Sequence, residues 1–213
     1  MPVAVKICGI TTDAAMEAAV EAGADYVGLV FFPPSPRAIS PEHAADLTEL
    51  LPDDLVKVGL FVDPSDALLD QVLTRVRLDL LQFHGNEPPE RLEAVRHEFG
   101  LPVMKMIPVA VAADLAAADP YLAVADRLLF DARPLQGATL PGGNARAFDW
   151  TLLKGRPWSL PWMLAGGLTP DNVAEAIRSS GAAAVDVSSG VESAPGLKDP
   201  HRIRAFIAAA KGA

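Results

Sequence analysis

Hydrophobic and polar positions alternate between two textures along this chain. Eight short runs rich in β-branched and other apolar residues have the length of buried strands. They cover 3–8, 25–32, 56–62, 78–84, 103–107, 127–131, 162–166 and 183–188. Most are separated by stretches rich in alanine and leucine, with apolar residues at helical spacing. These stretches are 12–22, 41–51, 65–76, 88–99, 111–124, 170–180 and 200–211, with a shorter one of barely two turns at 148–154.

This alternation predicts an α/β protein whose parallel strands are joined by right-handed helical crossovers. Eight units of about 27 residues suit a single-domain (β/α)₈ barrel over 1–213, the TIM-barrel architecture. An open doubly wound sheet is the alternative, but no G-x-G-x-x-G sequence follows the first strand. We therefore favour the barrel, and we expect the long loop 132–147 to form a lid at its mouth.

Composition and charge exclude several classes of function. The chain carries 27 acidic against 18 basic residues, a formal net charge of −9, which argues against nucleic-acid binding. Its one cysteine cannot form an internal disulfide, and it has no signal-peptide layout and no apolar run long enough to span a membrane. We therefore predict a cytoplasmic protein without a membrane partner, either a monomer or a weak homodimer.

Residues at the C-terminal ends of barrel strands form the active site in this architecture. Alternation along the first strand directs Lys6 and Cys8 into the barrel, with Cys8 at its mouth. Asp131 ends the sixth strand and His84 ends the fourth. Each also has an ordinary structural explanation: Cys8 as a buried small residue, Asp131 as a loop cap and His84 as a hydrogen-bonded core histidine. Position alone therefore leaves both the functional and the structural interpretation open.

Two glycine-containing loops, after the seventh and eighth strands, are typical of a phosphate site. Glycine lets backbone N–H groups approach an anion, and a helix N-terminus adds a favourable dipole. These two loops are the usual phosphate position in such barrels. We expect phosphate contacts from Gly166, Gly167, Ser188, Ser189 and Gly190.

Two charged residues stand out beside these loops. Arg37 follows the second strand in a proline-rich loop, where its planar fork could hold a carboxylate or simply be solvated. Asp186 lies within the eighth strand, where an unpaired buried carboxylate is costly, so we predict an ion pair with Lys6 on the neighbouring first strand. The Cys and His residues have no zinc-ligand spacing and no nucleotide-binding loop is visible, so we expect no metal and no cofactor.

Seven motifs occur in a characteristic order along the chain. They are Lys6-Ile7-Cys8-Gly9-Ile10-Thr11, Ser35-Pro36-Arg37, Gly59-Leu60-Phe61-Val62, Gln82-Phe83-His84-Gly85, Phe148-Asp149-Trp150, Leu164-Ala165-Gly166-Gly167-Leu168 and Asp186-Val187-Ser188-Ser189-Gly190-Val191-Glu192. Together they resemble the phosphoribosylanthranilate isomerases of tryptophan biosynthesis over 3–211. The first and the last of these motifs are the most specific.

The resemblance implies a (β/α)₈ barrel that catalyses an Amadori rearrangement of an aminoaldose phosphate to an aminoketose phosphate. It assigns Cys8 as general base and Asp131 as general acid. It also assigns Arg37 to the anthranilate carboxylate and the glycine and serine loops to the phosphate. We include His84 and Asp186 among the substrate-binding residues.

The loop before Phe148 departs from the family pattern. The family usually reads G-G-T-G there, whereas this chain reads Gly142-Gly143-Asn144-Ala145. We expect Gly142 and Gly143 to donate backbone N–H groups to the substrate. The changes at Asn144 and Ala145 affect the expected mobility of the loop.

Other functions are compatible with the phosphate loops alone. An indole-glycerol-phosphate synthase or a ribulose-phosphate epimerase would need a catalytic Lys/Glu pair or His and Asp metal ligands at the strand ends, and neither set is visible. A non-catalytic phosphosugar-binding barrel would have no use for Cys8, Asp131 and Arg37 together. The sequence therefore predicts the isomerase.

Overall fold

The computed structural model describes residues 3–134, 142 and 147–213 of the chain. Eight parallel strands form a closed barrel in chain order, because β1 pairs with both β2 and β8. They are β1 Ala4–Cys8, β2 Tyr26–Val30, β3 Val56–Phe61, β4 Leu80–Phe83, β5 Val103–Val109, β6 Arg127–Ala132, β7 Trp162–Leu164 and β8 Ala184–Val187. The predicted barrel is confirmed, and the open sheet is excluded.

Helices of the described residues lie between the strands and after the last of them. They are α1 Asp13–Glu21, α2 Pro41–Thr48, α3 Asp66–Leu73, α4 Pro89–Phe99, α5 Val173–Ser180 and α6 Pro200–Lys211. Side chains at the predicted starts cap them: the Ser40 hydroxyl accepts the N–H of His43, and the Ser65 hydroxyl accepts that of Leu68. None of these helices is long and apolar enough to cross a membrane.

Two segments predicted as α-helix have a tighter winding instead. The stretch 111–124 contains a 3₁₀ helix, Ala112–Tyr121, and 148–154 contains a 3₁₀ turn, Trp150–Leu153. Pro120 lies inside the first of these and has no N–H to donate. The α-helix prediction was wrong for both segments.

A short antiparallel hairpin after β8 was not predicted. It consists of β9 Glu192–Ala194 and β10 Leu197–Lys198. The sequence offers no long alternating run there, because the two strands are only three and two residues long. The hairpin matters below because it carries Glu192 and Lys198.

Side chains inside the barrel are layered along its axis. Val5 and Ile7 of β1 pack outward in the cluster shared with the helices, whereas Lys6 and Cys8 point inward as predicted. An apolar layer fills the barrel away from its mouth, formed by Val58, Leu80, Met104, Met106, Leu129, Met163, Ala165 and Ala184. The polar residues at the mouth therefore rest on a packed floor rather than on an open channel.

Part of the expected lid lies outside the described residues. Of the loop 132–147, the structure describes 132–134, 142 and 147. The predictions for Gly143, and for Asn144 and Ala145, therefore fall outside the description. The single-domain organisation over 1–213 also stays a prediction.

Candidate active site

A pocket lies at the C-terminal ends of the barrel strands, where ligands bind in barrels of this kind. Its lining includes most of the residues that the sequence proposed. These are Cys8, Arg37, His84, Asp131, Gly142, Gly166, Gly167, Asp186, Ser188 and Ser189. Gly190 does not line the pocket. The fold thus brings together residues from six of the barrel strands and the loops that follow them.

Cys8 ends β1 at the barrel mouth and is almost completely buried. The neighbouring strand β2 carries Gly28 opposite it. A Cβ atom at Gly28 would lie 2.8 Å from the Cys8 sulfur and 3.2 Å from Lys6 Nζ. A glycine in β2 therefore makes room for both inward side chains, a role that the sequence analysis missed.

The environment of Cys8 favours the neutral form of its thiol. Burial raises the pKa of the Cys8 thiol, and the nearby carboxylate of Asp186 adds to that effect. The Lys6 ammonium, together with Lys198, lowers the pKa but does not outweigh burial. Lys6 therefore acts in the direction of the thiolate, but burial decides the net shift of the Cys8 pKa.

Alkylation of the single cysteine will measure this shift directly. The rate of Cys8 modification by iodoacetamide should rise with pH, with a midpoint above the ordinary thiol pKa of 9.0, because only the thiolate reacts. The same titration in concentrated urea provides the control and should return the ordinary midpoint. A folded-state midpoint at or below the urea value would contradict the assigned direction.

Lys6 forms the predicted buried ion pair. Its Nζ lies 3.0 Å from Asp186 Oδ1, and the two residues are register partners on β1 and β8. The same ammonium donates to Gln82 Oε1 on β4 at 2.8 Å. Burial alone would lower the pKa of Lys6, but Asp186 and Cys8 raise it more, so Lys6 is held as the cation.

Asp131 and His84 lie together on the other side of the mouth. Asp131 Oδ1 accepts the N–H of Ala132 at 2.7 Å, and Oδ2 lies 3.4 Å from His84 Nε2. The other ring nitrogen, Nδ1, is 3.0 Å from Gln82 Nε2. A Cβ atom at Gly142 would lie 2.4 Å from His84 Nε2 and 3.0 Å from Asp131 Oδ2, so the backbone at Gly142 lies directly against this pair.

Arg37 reaches the pocket wall from the loop after β2 and is already paired. Its Nε donates to Glu192 Oε1 at 2.7 Å, and its Nη2 donates to Oε2 at 2.9 Å. One edge of the guanidinium fork is therefore occupied by a carboxylate of the protein itself, which the sequence did not predict. Within the described part of the chain, no hydrogen bond uses the end-on edge formed by Nη1 and the second proton of Nη2.

Glu192 is shared between two cations. It also binds Lys198, whose ammonium in turn donates to the backbone oxygen and hydroxyl of Ser188. Burial opposes ionisation of Glu192, but its contacts to Arg37 and Lys198 lower its pKa overall. Burial also lowers the pKa of Lys198, which Glu192 counteracts only in part. The hairpin thus holds Arg37 in place and braces the loop after β8.

The two glycine loops have the geometry expected of an anion site. Gly166 and Gly167 have φ angles of 90° and 66°, which ordinary residues rarely adopt. Among the described residues, no hydrogen bond uses their backbone N–H groups. Asn172 fixes the loop, because it accepts the N–H of Thr169 and donates to the Gly167 carbonyl.

Gly190 contributes through packing. A Cβ atom there would lie 1.8 Å from the Leu168 carbonyl oxygen, so a glycine lets the two loops touch. The Ser188 hydroxyl donates to the Cys8 carbonyl at 3.0 Å. The side chain of Ser188 is thus used to join β8 to β1.

Gln82, Glu192 and Lys198 are the polar residues of the site to which sequence reasoning assigned no role. Gln82 precedes His84 by two positions, so the strand period alone places both on one face. No comparable local signal exists for Glu192 or Lys198, because their partners are far away in sequence or depend on the hairpin. Among the described residues, no group of three or more His, Cys, Asp or Glu side chains is arranged to hold a metal ion.

Comparison with known proteins identifies the family. The family model described as N-(5'phosphoribosyl)anthranilate (PRA) isomerase matches residues 5–209. The chain belongs to this family. A phosphoribosylanthranilate isomerase from Paramagnetospirillum magneticum is 73% identical over 212 residues, covering 100% of this chain and 99% of the relative. The family prediction is confirmed, and with it an enzyme rather than a non-catalytic barrel.

Solved structures of phosphoribosylanthranilate isomerases share this barrel. That of the Thermotoga maritima protein has a TM-score of 0.88 at 39% identity, covering 99% of this chain and 100% of that one. A solved structure of phosphoribosyl anthranilate isomerase in complex with reduced 1-(o-carboxyphenylamino)-1-deoxyribulose 5-phosphate has a TM-score of 0.86 at 39% identity, covering 99% of this chain and 100% of that one.

Proposed function

We propose that this chain isomerises N-(5'-phosphoribosyl)anthranilate to 1-(2-carboxyphenylamino)-1-deoxyribulose 5-phosphate, a step of tryptophan biosynthesis, with Cys8 as general base and Asp131 as general acid. One observation carries the proposal. The thiol at the end of β1 and the carboxyl group of β6 line the same pocket from different sides of the barrel mouth. A proton donor and a proton acceptor on separate walls suit a reaction that protonates one atom of a sugar and deprotonates another.

The reaction needs two proton transfers at different atoms. Asp131 protonates the furanose ring oxygen, the bond from that oxygen to C1′ breaks, and the nitrogen lone pair forms a C=N bond. Cys8 then removes the proton from C2′, and the electron pair of that C–H bond forms the C1′=C2′ bond of an enol while the C=N electrons return to nitrogen. Protonation of C1′ and loss of the enol O–H proton then give the ketone. Atoms and electrons balance without an external oxidant or reductant.

The raised pKa of Cys8 is compatible with this role. A higher pKa makes the thiolate scarcer at neutral pH, but it also makes that thiolate a stronger base. The proton on C2′ of the C=N intermediate is weakly acidic and calls for such a base. Lys6 lowers the free-energy cost of deprotonating Cys8, because its ammonium stabilises the thiolate.

The carboxylate and the phosphate of the substrate are expected to bind at two different parts of the pocket wall. We assign the carboxylate to the end-on edge of Arg37 and the phosphate to the N–H groups of the glycine loops. His84, Asp186 and Gly142 stay in the substrate-binding set, since all three line the pocket. Gly143 stays in the set as a prediction.

If phosphate is bound through backbone N–H groups, substitutions at Gly167 and Ser189 should affect its binding differently. A leucine at Gly167 should weaken phosphate-dependent binding about 10- to 100-fold, the value of a hydrogen bond to a charged group. Ser189→Ala should change it little, because the backbone donor remains. The measurement is the inhibition constant of inorganic phosphate, with thermal unfolding to check that each variant is folded. Equal effects in both variants would count against backbone recognition.

Arg37→Lys should weaken substrate binding by about 1.5–3 kcal/mol, because an ammonium cannot reproduce a bidentate contact. The expected result is a higher KM with a smaller change in kcat. Glu192→Gln is the matched control, since it leaves Arg37 present but loosens its orientation, and should raise KM less. An unchanged KM in Arg37→Lys would remove this residue from substrate binding.

The proposed activity is tested by following the loss of phosphoribosylanthranilate fluorescence with the purified protein. Turnover by the wild-type protein and its loss in Cys8→Ala would support the isomerase assignment. Absence of turnover by folded wild-type protein would overturn it. A substrate that is consumed equally well by both proteins would keep the fold and family but remove Cys8 from the chemistry.

Several finer expectations remain predictions. We infer a small phosphosugar substrate and no nucleic-acid or membrane partner. The monomeric or weakly dimeric state, the cytoplasmic location and the independence from cofactors rest on the sequence reasoning alone.

A further inference from the structure

A chain of buried hydrogen bonds crosses the barrel beneath the pocket. The Lys6 ammonium donates to Asp186 Oδ1 at 3.0 Å and to Gln82 Oε1 at 2.8 Å. The amide nitrogen of Gln82 then lies 3.0 Å from His84 Nδ1. Lys6 and Gln82 are fully buried, and His84 is 6% exposed. The chain thus connects the wall that carries Cys8 with the wall that carries Asp131.

The chemistry of Lys6 determines the proton positions along this chain. An ammonium can only donate, so the Gln82 atom that faces Lys6 must be the amide oxygen. The amide NH₂ therefore faces His84, and it too can only donate. His84 Nδ1 must accept that hydrogen bond, so the imidazole proton of the neutral ring lies on Nε2.

The Nε2 position has no other partner in the described part of the chain. It is buried without a hydrogen bond, and it lies 3.4 Å from Asp131 Oδ2 without the alignment that a hydrogen bond requires. The other oxygen of Asp131 is held by the Ala132 N–H at 2.7 Å. The Nε2–H group therefore lies next to Asp131 Oδ2 with no hydrogen-bond partner among the described residues.

We propose that Gln82 is a positioning residue that holds His84 in the Nε2–H tautomer, so that an N–H group and not a lone pair faces Asp131. This inference rests on the proposed role of Asp131 as general acid. When Asp131 gives its proton to the sugar it becomes a carboxylate, and an adjacent N–H stabilises that charge. The other tautomer would place a lone pair against the same negative charge, which is repulsive.

Nitrogen-15 NMR of the imidazole side chains tests the tautomer without reference to turnover. In the wild-type protein at neutral pH, His84 should show a protonated Nε2 and an unprotonated Nδ1. Its signals are assigned by their loss in His84→Asn, because the chain has four histidines. A proton on Nδ1 in the wild-type protein would overturn the inference.

Of the substitutions at Gln82, Gln82→Glu should move the imidazole proton of His84 most completely. A carboxylate accepts from both Lys6 and His84, so it should draw the imidazole proton to Nδ1. We expect kcat to fall about 10- to 100-fold, the range typical of partners that orient a functional group, with KM nearly unchanged. A wild-type kcat in the folded variant, with the proton moved to Nδ1, would show that the tautomer does not matter.

Gln82→Met covers the case in which a buried glutamate prevents folding. Methionine has a similar length but makes neither hydrogen bond, so both tautomers of His84 should become populated and kcat should again fall with little change in KM. An unaltered Nε2–H signal in this variant would exclude Gln82 as the cause. If the wild-type protein shows the Nε2–H form but turns over no substrate, the proposed function fails while the tautomer assignment stands.

Discussion

Cys8→Ala and Asp131→Asn should each lower kcat by at least about 10²–10⁴-fold, the usual contribution of a positioned proton-transfer group. Alanine removes the base, and asparagine has the shape of aspartic acid without its proton. Both variants should bind substrate with near-normal affinity, because Arg37 and the glycine loops still hold its two anionic ends. Steady-state kinetics with phosphoribosylanthranilate measures both parameters.

Cys8→Ser is the matched control for the base. It keeps a group of similar shape at the end of β1, but a hydroxyl is a much weaker acid than a thiol and yields little anion. It should therefore be nearly as slow as Cys8→Ala. Thermal unfolding of all three variants verifies the fold. If either truncated variant keeps most of its kcat, the residue concerned has no part in the mechanism, although the family assignment would stand.

The parts of the site that follow a strand end could be predicted from the sequence. Cys8 ends β1 and Asp131 is the penultimate residue of β6, and barrel topology places all strand C-termini on one face. The Lys6–Asp186 pair followed from two facts: closure makes β8 the neighbour of β1, and a buried ammonium needs a partner. Its confirmation shows that topology together with electrostatics can identify a contact between residues 180 positions apart.

The parts that depend on three-dimensional packing could not be predicted. Nothing near Arg37 in the sequence indicates that Glu192 occupies one edge of its guanidinium group. The direction of the Cys8 pKa shift depends on burial, which raises the pKa, and on Lys6, which lowers it. The extent of burial is known only from the three-dimensional structure. The 3₁₀ helix at Ala112–Tyr121 escaped detection because alanine-rich spacing fits either winding.

One cation connects the two ends of the site. Lys6 lowers the pKa of Cys8, neutralises Asp186 and orients the amide of Gln82. Through Gln82 it also determines the proton position on His84, beside Asp131. Lys6 therefore acts on Cys8, the proposed base, directly and reaches Asp131, the proposed acid, through Gln82 and His84.

Lys6→Met should destabilise the protein by about 3–5 kcal/mol, the usual cost of removing one partner of a buried ion pair. Methionine fills much of the same volume, so the loss reports on charge rather than on a cavity. It leaves the Asp186 carboxylate buried without its cation and the Gln82 oxygen without its donor. Urea unfolding at neutral pH measures the difference in the free energy of unfolding.

The pH dependence of that difference follows from the direction of the Lys6 shift. The pKa of Lys6 is raised in the folded protein above its ordinary value of 10.5. The folded state therefore favours the ammonium, and its contribution to stability is complete below the unfolded pKa and is lost only as the pH rises through the folded value. The destabilisation by Lys6→Met should accordingly be equal at pH 7 and pH 8.

The double variant Lys6→Met/Asp186→Leu shows how much of the lost stability comes from the ion pair itself and how much from leaving a buried carboxylate without a cation. Replacing both members of a buried ion pair with apolar residues is often neutral or stabilising. The double variant should therefore be more stable than Lys6→Met alone, while its kcat stays low because Cys8 and Gln82 have lost their cation. If the double variant is less stable than Lys6→Met, Asp186 must be held by contacts other than Lys6.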